Sequence, residues 1–232
     1  MKKQNKIKKV LAKSDKKSIR VYIIIRFLIL ICLIMQVIHH EWNNAFLCLL
    51  TLILITLPFI VEKTFKIELP DTLEVIIILF IFAAEILGEI NNFFNIFHHW
   101  DTMLHTLNGF ICAGIGFSLV NLLNKNSQNI NLSPAYLLLV SFTFSMTIGV
   151  IWEFAEYTMD KVFLTDAQKD HLIETTIGGY LDIGLNDTMK DLMVNFLGAI
   201  IFNLIAYLHI KNNQKYQFVE GFIPTKQKER TI

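Results

Sequence analysis

The sequence is short of cysteine, and what it has is badly placed for chemistry. Cys32, Cys48 and Cys112 each lie inside an apolar run, and no two approach C-x-x-C spacing. That excludes a disulfide framework and a thiolate metal knuckle, and leaves the three as small hydrophobes. No H-E-x-x-H, Glu-x-x-His, G-x-S-x-G or phosphate-binding glycine loop occurs anywhere. With ten glycines and four prolines in 232 residues, no linker rich in either divides the chain, and no internal repeat is visible. Basic residues are nearly missing from several of the intervals between apolar runs, and that shortage fixes an orientation.

Hydrophobic residues make up 53% of the chain and the mean hydropathy is +0.48, too apolar for a water-soluble domain of this length. A spanning helix needs about 20 mostly apolar residues. Six segments qualify, at roughly 20–38, 43–61, 72–90, 101–123, 135–158 and 187–209. The expected fold is all-α: a polytopic membrane protein with a bundle of six transmembrane helices over 20–209. Residues 1–19 form a basic tail, 159–186 the one long loop, and 210–232 a second polar tail. VYIIIRFLILICLIMQVI is long for a signal peptide and has no small-residue cleavage site after it, so it reads as an uncleaved first helix.

Residues 1–20 carry eight Lys and one Arg against one Asp. Beside an apolar run this is an orientation signal, not a nucleic-acid surface. With the N-terminus inside, seventeen Lys and Arg fall in inside segments, and only Lys161 and Lys169 fall outside. Adding or removing one helix would destroy that asymmetry. Both termini are therefore expected in the cytoplasm of a bacterial cell, with 159–186 outside.

Polar groups then fall in a pattern. The segment HHWDTMLH opens the fourth helix, and Asp101, His105 and Asn108 follow at i, i+4, i+7, one helical face. At ~1.5 Å per residue they descend roughly 10 Å. The third helix carries Glu85 and Glu89. The fifth carries Glu153, Glu156 and Asp160, and the sixth Asp187, Asp191 and Asn195. All four stripes sit in the same, outer half of their helices. A charge at the bilayer centre costs from about 2.5 to more than 10 kcal/mol. These groups are shallower, but so many carboxylates cannot face lipid. They must face one another, water, a cation or a ligand.

An acidic pocket open to the outside and walled by the last four helices is the economical arrangement. Its expected catalytic residues are Glu85, His105, Glu153 and Asp191. Glu89, Asp101, Asn108, Glu156, Asp187 and Asn195 are expected to bind. Asp101, Asp160 and Asp187 read equally well as solvated helix-end groups, the first and last favoured by the helix dipole. Trp100 and Trp152 fit an interfacial aromatic belt. Imidazole with carboxylates suits a divalent metal at Asp101, His105, Glu153 and Asp191, although the sequence names no cofactor. The metal-free version sets one carboxylate as acid and another as base. Either serves hydrolysis or group transfer on an envelope lipid.

A proton- or cation-coupled transporter is the alternative, and a non-enzymatic binding or resistance protein a third reading. A path needs polar steps right across the membrane. The inner halves of the fourth and sixth helices offer only Asn121 and Asn203, with Ser141, Thr143, Ser145 and Thr147 on the fifth. Expected partners are membrane lipids and a second copy of the chain, and no nucleic acid. Gly178-Gly179 in the long loop suit a lid as well as a plain connector. Gly109, Ala113 and Gly116 with Gly198 and Ala199 make small surfaces for close helix approach.

W-D-x-x-x-H at 100–105, G-x-x-W-E-x-x-E at 149–156 and D-T-M-x-D-L-x-x-x-x-x-G-A at 187–199 resemble the YjdF-type family of bacterial inner-membrane proteins. The chain is more faintly similar to VanZ-like proteins. The resemblance covers roughly 75–205. It implies a membrane architecture and a bacterial cytoplasmic membrane, and supplies no substrate. It also implies an acid where this chain has Asn195, hence one fewer charge here.

The orientation predicts a labelling pattern. In intact cells an impermeant thiol reagent should reach single cysteines placed in 92–99 and 165–180, and miss those in 125–131 and 212–230. Labelling of 212–230 from outside would reverse the orientation.

Overall fold

The computed structural model describes residues 17–126, 132–163, 167–168, 184–212, 219 and 221–226. Helices α1 (Lys17–Ile38), α2 (Trp42–Leu54) and α3 (Leu57–Phe65) lead through a short strand β1 (Ile67–Glu68) into α4 (Asp71–Ile81). A π-helical segment, Phe82–Ile90, continues α4 without a break, and a one-turn helix α5 (Phe93–Ile96) follows. Three long helices come next, α6 (Trp100–Asn126), α7 (Pro134–Phe163) and α8 (Leu185–Lys211), and a last strand β2 (Thr225–Lys226). The protein is an all-α membrane protein. Among the described residues five helical spans are long and apolar enough to cross a membrane, one of them running Trp42–Thr64 through α2 and α3. The sixth expected segment, 72–90, is the composite helix that changes from α to π winding at Phe82.

The chain divides into two compact units: Met1–Trp100 with Glu220–Ile232, and Asp101–Val219. In the first, Ile25 and Ile29 of α1 are four apart, so they share a face. They pack with Cys48 and Ile55 of α2, Ile78 of α4 and Ile86 of the π segment. Around this narrow core the opposite faces stay apolar: Phe27 and Phe46 are more than 60% exposed. Water would penalise that surface; hydrocarbon does not. The π winding ends where the N–H of Asn91 donates to the carbonyl of Ile86, five residues back, at 3.0 Å. Glu62 is buried and accepts the N–H of Leu69 at 2.9 Å, which fixes the turn from α3 into β1. The pairing of Ile67 with Lys226 and Glu68 with Thr225 is antiparallel. Hydropathy gives no sign of it, because two residues per strand are too few to show a period.

In the second unit α7 runs antiparallel to α6. Two hydroxyls on one face of α7 clasp it: Ser145 Oγ donates to the carbonyl of Gly109 at 2.7 Å, and Ser141 Oγ to that of Ala113 at 2.8 Å. Thr143 and Thr147 instead donate to carbonyls of their own helix, Leu139 and Thr143. Helix α8 runs parallel to α6 and presses close against it. A Cβ built on Gly109 would stand 2.0 Å from the carbonyl oxygen of Asn195; one on Gly198 would stand 2.0 Å from that of Thr106. Only hydrogen fits at either place. Deeper along the same interface Phe202 is fully buried, with edge contacts to Phe110 at 5.3 Å and Phe117 at 6.1 Å.

Gly198→Ala and Gly109→Ala should therefore force two backbones apart, a cost of about 1–3 kcal/mol and a fall in Tm of roughly 2–10 °C. Gly88→Ala should cost much less, because the atoms nearest its Cβ would be those of the Phe94 ring, a side chain that can turn aside, and not main chain. Thermal unfolding in detergent checks the order; equal effects at all three sites would contradict the close crossing.

Candidate functional site: a buried carboxylate–imidazole cluster

Three helices of the second unit deliver one cluster. Asp101 and His105 are i, i+4 on α6, so both side chains leave the same face. Asp191 comes from the first turns of α8, and Glu153 from the later half of α7. The antiparallel run of α7 and the parallel run of α8 put these positions at one level. The imidazole of His105 is the hub. Its Nε2 lies 3.4 Å from Asp101 Oδ1 and 3.9 Å from Asp191 Oδ2, and its Nδ1 lies 3.7 Å from Glu153 Oε1.

The site is buried and under-satisfied. His105 is 7% exposed, Glu153 4% and Asp191 1%. Both carboxylate oxygens of Glu153 and both of Asp191 are buried, and among the described residues none accepts a hydrogen bond. Within 4 Å of these carboxylates the only basic side chain among the described residues is His105. A buried carboxylate without donors costs several kcal/mol. Two overlapping groups have donor atoms all within 4.8 Å of one another: Asp101, His105 and Asp191, and His105, Glu153 and Glu156. Two carboxylates with one imidazole suit zinc, manganese or iron.

Residues 21–212 match the model of a family described as "Predicted membrane protein (DUF2238)". The chain belongs to that family. An uncharacterized protein of Thermotoga maritima is 29% identical over 150 residues, covering 65% of this chain and 69% of the relative. No solved structure matches. Family membership agrees with the likeness read from W-D-x-x-x-H and G-x-x-W-E-x-x-E: a membrane family without an assigned activity. The matched span contains every residue of the cluster.

The other expected site residues have distinct places. Glu156 is half-buried and accepts the indole N–H of Trp152 at 2.6 Å. That ties Trp152 to an acid of its own helix, beyond any role at an interface. Asp187 stands in the first turn of α8, half-buried, one turn before Asp191. Asp160 caps chain: its carboxylate accepts the N–H groups of Ala167 and Gln168 at 2.7 and 3.0 Å.

Asn108 and Asn195 commit their amides to helix packing. Asn108 Nδ2 donates to Asn195 Oδ1 at 3.1 Å, and Asn195 Nδ2 points at the carbonyl of Ser145 at 3.5 Å. They form a floor linking all three helices one turn beneath the cluster. Glu85 and Glu89 belong to the first unit, on its π-helical segment, with Glu85 half-buried and Glu89 exposed. Trp100 packs edge-on against Phe93 at 5.0 Å in that same unit. Gly178 and Gly179 of the lid reading lie outside the described residues.

What sequence reasoning missed is the pair of serine clasps. Ser141 and Ser145 look like steps of a weakly polar path. Their i, i+4 spacing opposite Gly109 and Ala113 was the available sign of a helix contact.

Proposed function

We propose that this membrane protein binds, and chemically modifies, an envelope lipid or related amphiphile at the His105 cluster. One observation carries the reading: the four unpartnered oxygens of Glu153 and Asp191, buried around one imidazole. A scaffold would satisfy them, because breaking or omitting a partner inside a protein is costly. Unsatisfied acceptors at a converging site are where a ligand supplies the missing donors or charge. The Lys and Arg asymmetry supports an orientation with both termini in the cytoplasm and this end of the helices at the outer leaflet of the bacterial cytoplasmic membrane. A lipid headgroup reaches that depth by lateral diffusion, with its chains left in the bilayer. The cluster's carboxylates are equipped to move a proton to or from such a headgroup, one as acid and another as base.

The transport reading is less well supported. It needs polar steps toward the other end of the helices. The hydroxyls of Ser141, Thr143, Ser145 and Thr147 are each engaged with a main-chain carbonyl. Below the asparagine floor the α6–α8 interface is filled by Phe117 and Phe202.

Purified protein in nanodiscs of total bacterial polar lipid tests the proposal by mass spectrometry of retained and converted lipid. Wild type should enrich or convert one headgroup class at least tenfold over the bulk lipid, and His105→Ala and Asp191→Asn should lose that enrichment. Identical lipid profiles for all three proteins would refute it.

A further inference from the structure

The spacing inside the cluster carries more than the presence of a ligand. Contacts of 3.4 to 3.9 Å are too long for direct charge-assisted hydrogen bonds, which close to about 2.7–2.9 Å. They suit donors arranged around something small. Two donor atoms each about 2.0–2.2 Å from one metal ion stand roughly 3.0–3.6 Å apart. The Nε2 side of His105 comes near that arrangement, with Asp101 Oδ1 inside the range at 3.4 Å and Asp191 Oδ2 beyond it at 3.9 Å, and a few tenths of an ångström of side-chain adjustment completes it.

The two faces of the ring differ. A neutral imidazole has one lone pair and one N–H, so it can serve a metal on one side only. Asp101 and Asp191, from different helices, converge on Nε2. On the Nδ1 side Glu153 Oε1, from a third helix, lies at 3.7 Å, and Glu156 of that helix completes the second donor group. Metal-bound histidines usually donate their remaining N–H to a carboxylate, which fixes the ring and its tautomer.

Resting on the reading of this cluster as a binding site, we propose that Asp101, His105 (through Nε2) and Asp191 bind one divalent transition-metal ion, and that Glu153, whose Oε1 stands 3.7 Å from Nδ1, closes on the ring to accept its Nδ1–H when the ion is bound. The independent sign of a ligand is Asp191 itself, 99% buried with neither oxygen hydrogen-bonded. A dication offsets the two ligating carboxylates, which no Lys or Arg among the described residues does within 4 Å. Oxygen and imidazole donors without sulfur favour zinc, manganese or iron(II) over copper(I). Three protein ligands leave coordination positions open, the arrangement of metal sites that admit water or a substrate oxygen, and close to what a phosphate or carbonyl of a headgroup would need. The asparagine floor and the Gly109–Gly198 crossing hold α6 and α8 at the distance the two ligand helices must keep.

The test uses the full chain in detergent, stripped with a chelator and titrated with Mn²⁺ (followed by electron paramagnetic resonance) and with Zn²⁺ by calorimetry. Wild type should hold one ion per chain, with one imidazole nitrogen in the spin-echo spectrum. Asp101→Asn, Asp191→Asn and His105→Ala should each weaken binding at least 100-fold. Glu153→Gln should keep the one-ion stoichiometry and the nitrogen signal with affinity reduced about 10- to 100-fold. Circular dichroism confirms that each variant is folded; the isosteric Asn and Gln variants stand if His105→Ala does not fold. Absence of Mn²⁺ and Zn²⁺ binding by wild type overturns the assignment. So does loss of binding in Glu153→Gln with binding intact in Asp101→Asn, which would put the ion on the other face of the ring. Lipid retention by metal-free protein would leave the amphiphile reading standing while a failed titration removes the metal. One bound ion without lipid enrichment would do the reverse.

Discussion

The approach of α6 to α8 at Gly109 and Gly198 is the constraint on which the site depends. Both contacts are between a glycine Cα and a main-chain carbonyl, so no side chain can yield to relieve a larger residue. That crossing sets the separation of the two helices one to two turns from Asp101, His105 and Asp191. In hydrocarbon, apolar side chains gain little by leaving lipid for one another, so close backbone packing and interhelical hydrogen bonds must hold the helices. This unit uses both: the glycines on the α6–α8 side, and the Ser141 and Ser145 hydroxyls on the α6–α7 side. The Asn108–Asn195 bond joins the two arrangements.

The distribution of polarity follows from the same solvent. Large apolar side chains such as Phe154, Leu123 and Met193 are over 60% exposed, while Glu153, Asp191 and Asn195 are almost completely buried. In water that arrangement would be inverted. In a bilayer it keeps charge away from lipid, and concentrates it where three helices meet. Asn195 illustrates how tightly the polar interior is divided. One turn separates Asp191, whose oxygens are unpartnered, from Asn195, whose amide is fully used in packing. An acid at 195 would lose the donor that faces Ser145.

Much of this was legible in the sequence, for physical reasons. Twenty-residue apolar runs report spanning helices because the bilayer imposes their length. The i, i+4 spacing of Asp101 and His105 reports a shared face because helix geometry imposes the period. Matching depth on separate helices was enough to group His105 with Glu153 and Asp191, since buried carboxylates have few places to go. Depth gives no azimuth, however. It could not tell that Asn108 and Asn195 turn toward each other, or that Ser141 and Ser145 face α6 instead of a path. The change from α to π winding at Phe82 leaves no mark in hydropathy, because FAAEILGEI is equally apolar in either form. The β1–β2 pairing is too short to show alternation, and it draws in part of the chain read as a plain polar tail.

The central claim is that the cluster is a site and not part of the scaffold, and Glu153→Gln in metal-stripped protein addresses it most directly. The change keeps the shape, removes one charge from a self-repulsive group, and breaks no hydrogen bond among the described residues, because neither oxygen of Glu153 accepts one. Thermal unfolding in detergent should show an unchanged or higher Tm. A clear fall in Tm would mean that the charge of Glu153 holds the helices together through His105, and that the cluster is a structural ion pair.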